Sequence, residues 1–317
     1  MALDSSALRE TQAARRPVRW HIAVFLAPAL LVYTAVMVLP LVETLRLSFF
    51  QSGTGQPQAF VGLDNFRRLV GDERLAFHFW NALRNNAYFF AIHMAVMVPL
   101  AILLGALLSL PRIRGSGFYR TALFMPTMLS FVIAAFVWRL ILSPLWGITP
   151  NFLQAIGLGS WFTAYLGKEA YALTTLGFIS VWKELGVPMV LMYAAMLAIP
   201  HEILEAAEID GITGINQFFR IKLPLLWPTV GVVAILTFVS NFNSFDLIYT
   251  SQGVSAGPNY STDILGTLLY RTFFGAQLQF GDPHMGATIA AMMFLIILSV
   301  VCLYLFFVQR RLVRYQL

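Results

Sequence analysis

Lys183 and Glu184 stand together near the middle of Ala170–Pro200, a run otherwise free of charge. At the centre of a membrane helix each charge costs about 2.5–3.5 kcal/mol on insertion scales, so it must face protein or an aqueous cavity. Adjacent helical residues point about 100° apart, so the pair cannot address one spot and at least one needs a partner elsewhere. Two roles fit this chemistry: a buried ion pair that packs helices, or the polar wall of a transport route. A second set lies in "TFVSNFNSFDLIY", where Thr237, Asn241 and Ser244 follow the i, i+4, i+7 spacing of one helical stripe. Asn243 and Asp246 fall on a shifted face. In lipid such a stripe either bonds a neighbouring helix or lines a wet cavity. Amides beside a carboxylate supply donors and acceptors together, which suits a hydroxyl-rich ligand.

The third set is "EILEAAEIDGITGINQFFRIKLPLLWP", which gathers Glu202, Glu205, Glu208 and Asp210 between apolar runs. Pro200 suits a first helical turn, and Glu202 and Glu205 fall toward the positive end of a short helix. Gly211 can take the left-handed conformation that ends it. A second short helix is expected through "INQFFRIK", stopping before Pro224. Ala206 and Ala207 keep the turn slim enough for another surface to approach. The pattern describes a helix–turn–helix finger, and equally an ordinary connecting loop.

Enzymatic constellations are missing. "LGKEA" at Leu166 has Gly-Lys without the following Ser/Thr or the upstream glycine, so no Walker-type ATP site is present. No His-Glu-x-x-His pattern, paired-carboxylate pocket or Ser/His/Asp set stands out. Cys302 is the single cysteine, so no intrachain disulfide forms and no thiol metal site is suggested.

These residues need elements to hold them, and composition says which. Of 317 residues 58% are hydrophobic and 11% charged, against roughly a quarter charged in soluble domains. Lipid is therefore the main solvent. The uncharged runs Trp20–Val42, Asn85–Leu110, Thr121–Trp138, Leu223–Phe245 and Pro283–Gln309, with Ala170–Pro200, give six transmembrane helices. The formal charge of +6 lacks the basic, aromatic-interleaved cluster of a nucleic-acid binder. Arg9, Arg15, Arg16, Arg19, Arg112, Arg114, Arg120, Arg220, Lys222, Arg310, Arg311 and Arg314 fall on one side, which places both termini in the cytoplasm. The first span is too long for a signal peptide and no cleavage site follows it. Residues 140–167 are uncharged and aromatic, but Pro144, Gly147, Pro150, Gly157 and Gly159 break any continuous helix, so this stretch is read as an external loop.

"EAAEIDG", nine residues and "IKLP" resemble the EAA motif of ATP-binding-cassette importer permeases. Glu205, Ala206, Ala207, Gly211, Ile221, Leu223 and Pro224 all match it. "VGLDNFRRLV", "FWNALRNNAYF", "MPTMLSFVIAAFVWRLILSPLWG", "VWKELGVPMV" and "FDLIYTSQGVSAGPNYSTD" extend the resemblance to the carbohydrate-importer branch, relatives of maltose and glycerol-phosphate permeases. The resemblance implies an all-α polytopic fold with a type I (MetI-like) core and no ATPase of its own. It implies residues 1–19 as a cytoplasmic tail, 20–49 as the first transmembrane helix and 50–83 as an external loop. The transmembrane core would be 84–309, with a coupling loop at 200–224, and 310–317 a second cytoplasmic tail.

Glu205, Ala206, Ala207, Asp210, Gly211, Leu223 and Pro224 would then meet a cytoplasmic ATPase, whose closure on ATP and Mg drives helix movement. Trp182, Lys183, Glu184, Thr237, Asn241 and Ser244 would face substrate. A second, homologous permease, two ATPase copies and an external solute-binding protein are the implied partners, in a bacterial inner membrane. Family members usually carry small or apolar residues at 183 and 184. The departure opens the option of a sulfonated, phosphorylated or carboxylated sugar held by Lys183. The rival reading is a self-contained secondary transporter using Lys183 and Glu184 for ion coupling.

Overall fold

The computed structural model describes residues 20–51, 58–110, 113–276 and 279–309. The expected tails at 1–19 and 310–317 lie outside them. The chain divides into two compact units, one ending at Thr44 and the other starting at Leu45. The first unit is helical throughout its described length: α1 (Trp20–Tyr33), a π-turn at Thr34–Val38, and the start of α2 (Leu39–Leu47). Phe25, Leu31 and Val36 are all exposed, as an apolar helix with lipid for solvent allows.

In the second unit, the short hairpin of β1 (Phe50–Gln51) and β2 (Ala59–Phe60) precedes α3 (Asp64–Gly71). Then α4 (Glu73–Ile92) continues through a π-turn, His93–Met97, into α5 (Val98–Leu108). The external loop expected through residue 83 therefore turns helical earlier. Asp72 Oδ1 accepts the Arg74 and Leu75 N–H groups and so caps α4. Buried Leu69 and Phe79 then fold the amphipathic stretch onto the core.

The three remaining apolar runs before the last span are bent. α6 (Ser116–Phe124) and a 3-10 turn meet α7 (Phe131–Ile141) at 96°. Pro126 tightens the turn, Leu129 is extended, and Ser130 caps the new helix through Ile133 N–H. The continuous span expected over Thr121–Trp138 is thus a broken one. The uncharged stretch that follows holds α8 (Ile148–Ala155) and a 3-10 turn, too short to cross a membrane. α9 (Glu169–Glu184) and α10 (Gly186–Leu197) meet at 49°. Pro188 has no N–H for the Glu184 carbonyl, which supplies the bend.

After α11 (His201–Ile209) come α12 (Gly214–Gln217), a π-turn at Phe218–Lys222 and α13 (Leu223–Leu225). This second arm runs through Pro224 rather than stopping before it. The Leu223 N–H reaches back to Phe218 O, and the widened turn absorbs the donor that proline lacks. A 60° bend then leads into α14 (Trp227–Phe242). α15 (Phe245–Gln252), α16 (Leu265–Phe274), a hairpin of β3 (Gly275–Ala276) and β4 (Gln279–Phe280), and α17 (Pro283–Leu303) complete the unit. Counting each bent pair once, the described residues hold up to six stretches long and apolar enough to cross a membrane.

Three buried clusters hold the second unit together. Met97, Ala101, Met189, Met192 and Val233 join α5, α10 and α14. Phe89, Leu176, Ile179, Leu247 and Ile264 join α4, α9 and the segment around α15. Phe79, Leu265, Leu268, Met285 and Ile289 join α4, α16 and α17. The pair α5–α10 packs backbone to backbone: a Cβ on Gly105 would lie 3.0 Å from Tyr193 N. Gly105→Val is therefore expected to pry this pair apart and destabilise the protein by about 1–3 kcal/mol. Thermal unfolding in detergent should show it as a lowered midpoint.

Candidate functional site

Bending α9 at Leu185 sets Lys183 and Glu184 beside the break, where each finds its own partners. Glu184 Oε1 accepts from Ser240 Oγ of α14 at 2.7 Å, and Oε2 accepts from Ser180 Oγ at 3.4 Å. Oε2 also lies 3.5 Å from His93 Nε2 in the π-turn of the long span. His93 Nδ1 is 2.8 Å from Phe89 O. A carbonyl only accepts, so Nδ1 carries a proton. Glu184 therefore ties three helical spans into one polar cluster. Lys183 does something else: its Nζ sits 3.9 Å from the Phe131 ring centroid, a cation–π contact.

A cavity of about 200 Å³ opens between these groups, lined by Thr127, Lys183, Glu184, Thr237 and Ser240 with apolar Met97, Val187 and Leu236. Of the residues expected to face substrate, Lys183, Glu184 and Thr237 meet here. Trp182 turns away and packs edge-on against Trp138, centroids 5.5 Å apart. Asn241 and Ser244 are buried at the end of α14, where Asn241 O accepts from Asn86 Nδ2 and Ser244 Oγ donates to Ser240 O. Thr237 and Asn241 lie on α14, Ser244 falls beyond its last residue Phe242, and of the three only Thr237 reaches the cavity. Sequence spacing does not single out Ser240, Ser180 or His93: His93 is a lone polar residue in an apolar run, and Ser240 lies among the other polar residues of "TFVSNFNSFDLIY". The one available signal was that a buried carboxylate requires hydrogen-bond donors.

The acidic segment is a two-armed projection. Pro200 is the N-cap of α11 rather than its first residue, and Glu202 lies in the first turn. Gly211 has φ +75°. Its N–H donates to Glu208 O at 3.0 Å, and the Ile212 N–H to Ala207 O at 2.8 Å, a Schellman ending. Gln217 Nε2 donates to Leu204 O at 3.2 Å and locks the second arm on the first. Ala207 is buried between the arms, while Glu202, Glu205, Ala206, Glu208, Asp210, Gly211 and Pro224 are exposed and Leu223 is half-buried. Ile209, Ile215 and Phe219 are 87%, 70% and 58% exposed, an apolar crest rimmed by acid.

The opposite end of α4 and α9 is organised by a buried ion pair. Arg271 Nη2 donates to Asp263 Oδ2 at 2.6 Å, and Arg271 Nη1 donates to Val254 O at 3.1 Å. Thr267 Oγ1 donates to Asp263 Oδ1, and Asn85 Nδ2 donates to Asp263 O and Ser261 O. Asn86 Oδ1 accepts the Leu265 N–H. This net holds Ala256, Asn259 and Tyr260 at φ of +52°, +50° and +57°. Left-handed residues of this kind cost about 1–3 kcal/mol each and persist only where their surroundings over-determine them.

Up to six apolar spans, a polar cavity beside a bent helix and an exposed two-armed segment describe a multi-span membrane protein. Residues 81–314 match the family described as binding-protein-dependent transport system inner membrane component, and the chain belongs to that family. It is 33% identical over 252 residues to the probable ABC transporter permease protein YurN of Bacillus subtilis (strain 168), covering 79% of this chain and 84% of that one. It is 31% identical over 250 residues to the lactose transport system permease protein LacF of Rhizobium radiobacter, covering 79% and 82%. It is 31% identical over 307 residues to the sn-glycerol-3-phosphate transport system permease protein UgpA of Escherichia coli O157:H7, covering 95% and 99%. In fold it matches a bacterial ABC transporter involved in the import of the acidic polysaccharide alginate. The TM-score is 0.72 at 22% identity, over 92% of this chain and 96% of that one. The all-α, MetI-like permease fold expected from the motif is the one found.

Proposed function

We propose that this chain is one half of a two-permease channel in an ATP-driven importer for a sugar or sugar derivative. Both termini lie in the cytoplasm of a bacterial cell, and a second permease, two ATPase copies and an external solute-binding protein complete the assembly. ATP and Mg belong to the ATPase. The carrying observation is the two-armed segment, whose crest of Ile209, Ile215 and Phe219 is exposed and acid-rimmed. Burying such a crest on a partner is favourable by roughly 25 cal/mol per Å² of apolar area. That partner surface is the cytoplasmic ATPase, and Glu205, Asp210 and Gly211 supply the charge and turn of the joint.

Relatives named for lactose and sn-glycerol 3-phosphate support a sugar-like cargo. The cavity at Lys183 and Glu184 is smaller than the roughly 300–1,000 Å³ of ligand pockets. This chain therefore supplies one wall of the route and the second permease the other. Alternating access moves the cargo, driven by the different affinities of ATP and of the loaded binding protein for the two states.

Uptake into proteoliposomes tests this reading, with lactose, maltose and sn-glycerol 3-phosphate as probes. Transport should require ATPase, ATP and binding protein together. Ion-gradient-driven uptake by the isolated chain would refute the reading and favour the secondary transporter. Lys183→Met is expected to weaken sn-glycerol 3-phosphate uptake about tenfold in KM and lactose uptake less than about twofold, the difference being one charge-assisted contact. Equal effects on both would assign Lys183 to the Phe131 contact alone.

A further inference from the structure

A larger cavity lies at the far end of the same helices. α4 packs on α9 and α5 on α10, so the paired helices run parallel, and the ends at Glu73 and Glu169 lie opposite the two-armed segment. Between them is a cavity of about 630 Å³, inside the size range of ligand sites. Its walls carry Phe77, Arg84, Tyr88, Glu169, Thr174 and Ser261.

These groups are positioned rather than merely exposed. Asn81 Nδ2 donates to Tyr260 O at 2.9 Å, and Asn81 Oδ1 accepts from Arg84 Nη2 at 3.2 Å. The strained left-handed loop thus fixes Asn81, and Asn81 aims the guanidinium. Tyr88 and Thr174 share a 3.0 Å hydroxyl–hydroxyl bond between α4 and α9. The Oγ of Ser261 is buried without a hydrogen-bond partner among the described residues.

Planar donors and acceptors (Arg84, Glu169), hydroxyls that do both (Tyr88, Thr174) and the exposed faces of Phe77 and Tyr88 form one chemistry. It matches a ring with hydroxyls on its edge and C–H groups on its face. We propose that this outer cavity is a saccharide-binding site, occupied before cargo reaches Lys183 and Glu184. The proposal rests on the importer reading for which side is external and for the cargo class. It adds a site separate from the inner cavity.

The experiment uses the assembled importer with Cys302→Ser and Ala170→Cys in this chain. Ala170 is exposed on the cavity wall, and Cys302 is the native thiol. The rate of labelling by a membrane-impermeant thiol reagent is followed with and without whichever of lactose, maltose or sn-glycerol 3-phosphate the assembly carries. At ten times half-saturation the saccharide alone should slow labelling about tenfold. Arg84→Ala with Tyr88→Phe should abolish that protection and raise KM about tenfold, with kcat within about twofold. Uptake that proceeds while the introduced thiol labels unimpeded would overturn the outer site alone. Equal protection by the unloaded binding protein would make the cavity a protein seat and overturn it too. An assembly that carries none of the three probes and no other mono- or oligosaccharide would defeat the sugar-importer reading, and this site with it.

Discussion

Gly211→Pro is expected to leave the protein inserted and folded while uptake collapses and ATP hydrolysis runs uncoupled from it. Gly211 sits at φ +75°, which proline cannot reach, and its N–H is one of two bonds that close α11. Removing the donor and forcing φ to about −65° opposes the native turn by about 3 kcal/mol, roughly a hundredfold in its population. No atom lies within 4 Å of where a Cβ would stand. Gly211→Ala should therefore be far milder, limited to the left-handed penalty of about 1 kcal/mol. Paired measurements of uptake and ATP hydrolysis in proteoliposomes separate the two outcomes. Normal transport by the proline variant would remove the segment from the coupling path.

The largest stability effect is expected at Arg271. Asp263 is fully buried and Arg271 nearly so. Arg271→Met strands a carboxylate whose remaining side-chain partner is Thr267, and should destabilise the fold by about 3–5 kcal/mol. The double variant Asp263→Asn, Arg271→Met should recover most of that loss, because no buried charge is left unpaired. Arg220→Ala, on the exposed second arm, should change stability by less than about 0.5 kcal/mol. Denaturant unfolding in mixed micelles measures all three. A single Arg271 variant as stable as the parent would show that the pair does not hold the strained loop.

Much of this architecture is legible in the sequence because lipid imposes long uncharged runs, and six of them can be counted. The ending of α11 is legible too, since glycine after an acidic, alanine-rich turn has few other uses. The bends are harder to read. Pro126, Pro188 and Pro228 each sit in apolar runs long enough to span, and proline in a membrane helix kinks or passes according to its neighbours. Pro224 shows the reverse, because a π-turn that no composition signals carries the arm through it. The site was half visible. Lys183 and Glu184 stand out as charges, but Ser180, Ser240 and His93 become a cluster only when α4, α9 and α14 meet. The outer cavity was invisible because Arg84, Glu169 and Ser261 are ordinary surface letters until α4, α9 and the loop before α16 converge.

The close seam between α5 and α10 has a mechanical meaning. Backbones in contact at Gly105 leave little room for one helix to slide on the other, so the pair is expected to move as a single strut. The strut joins the break at Leu185, where Glu184 anchors three spans, to Pro200, where the two-armed segment begins. The twelve residues of α10, Gly186–Leu197, make a lever arm of roughly 18 Å. A tilt of about ten degrees at Leu185 therefore carries the far end of α10 by about 3 Å. Gearing is set by where the break falls in the sequence: each residue by which Pro188 moved along the span would change the stroke by about 8%, one part in the arm's twelve.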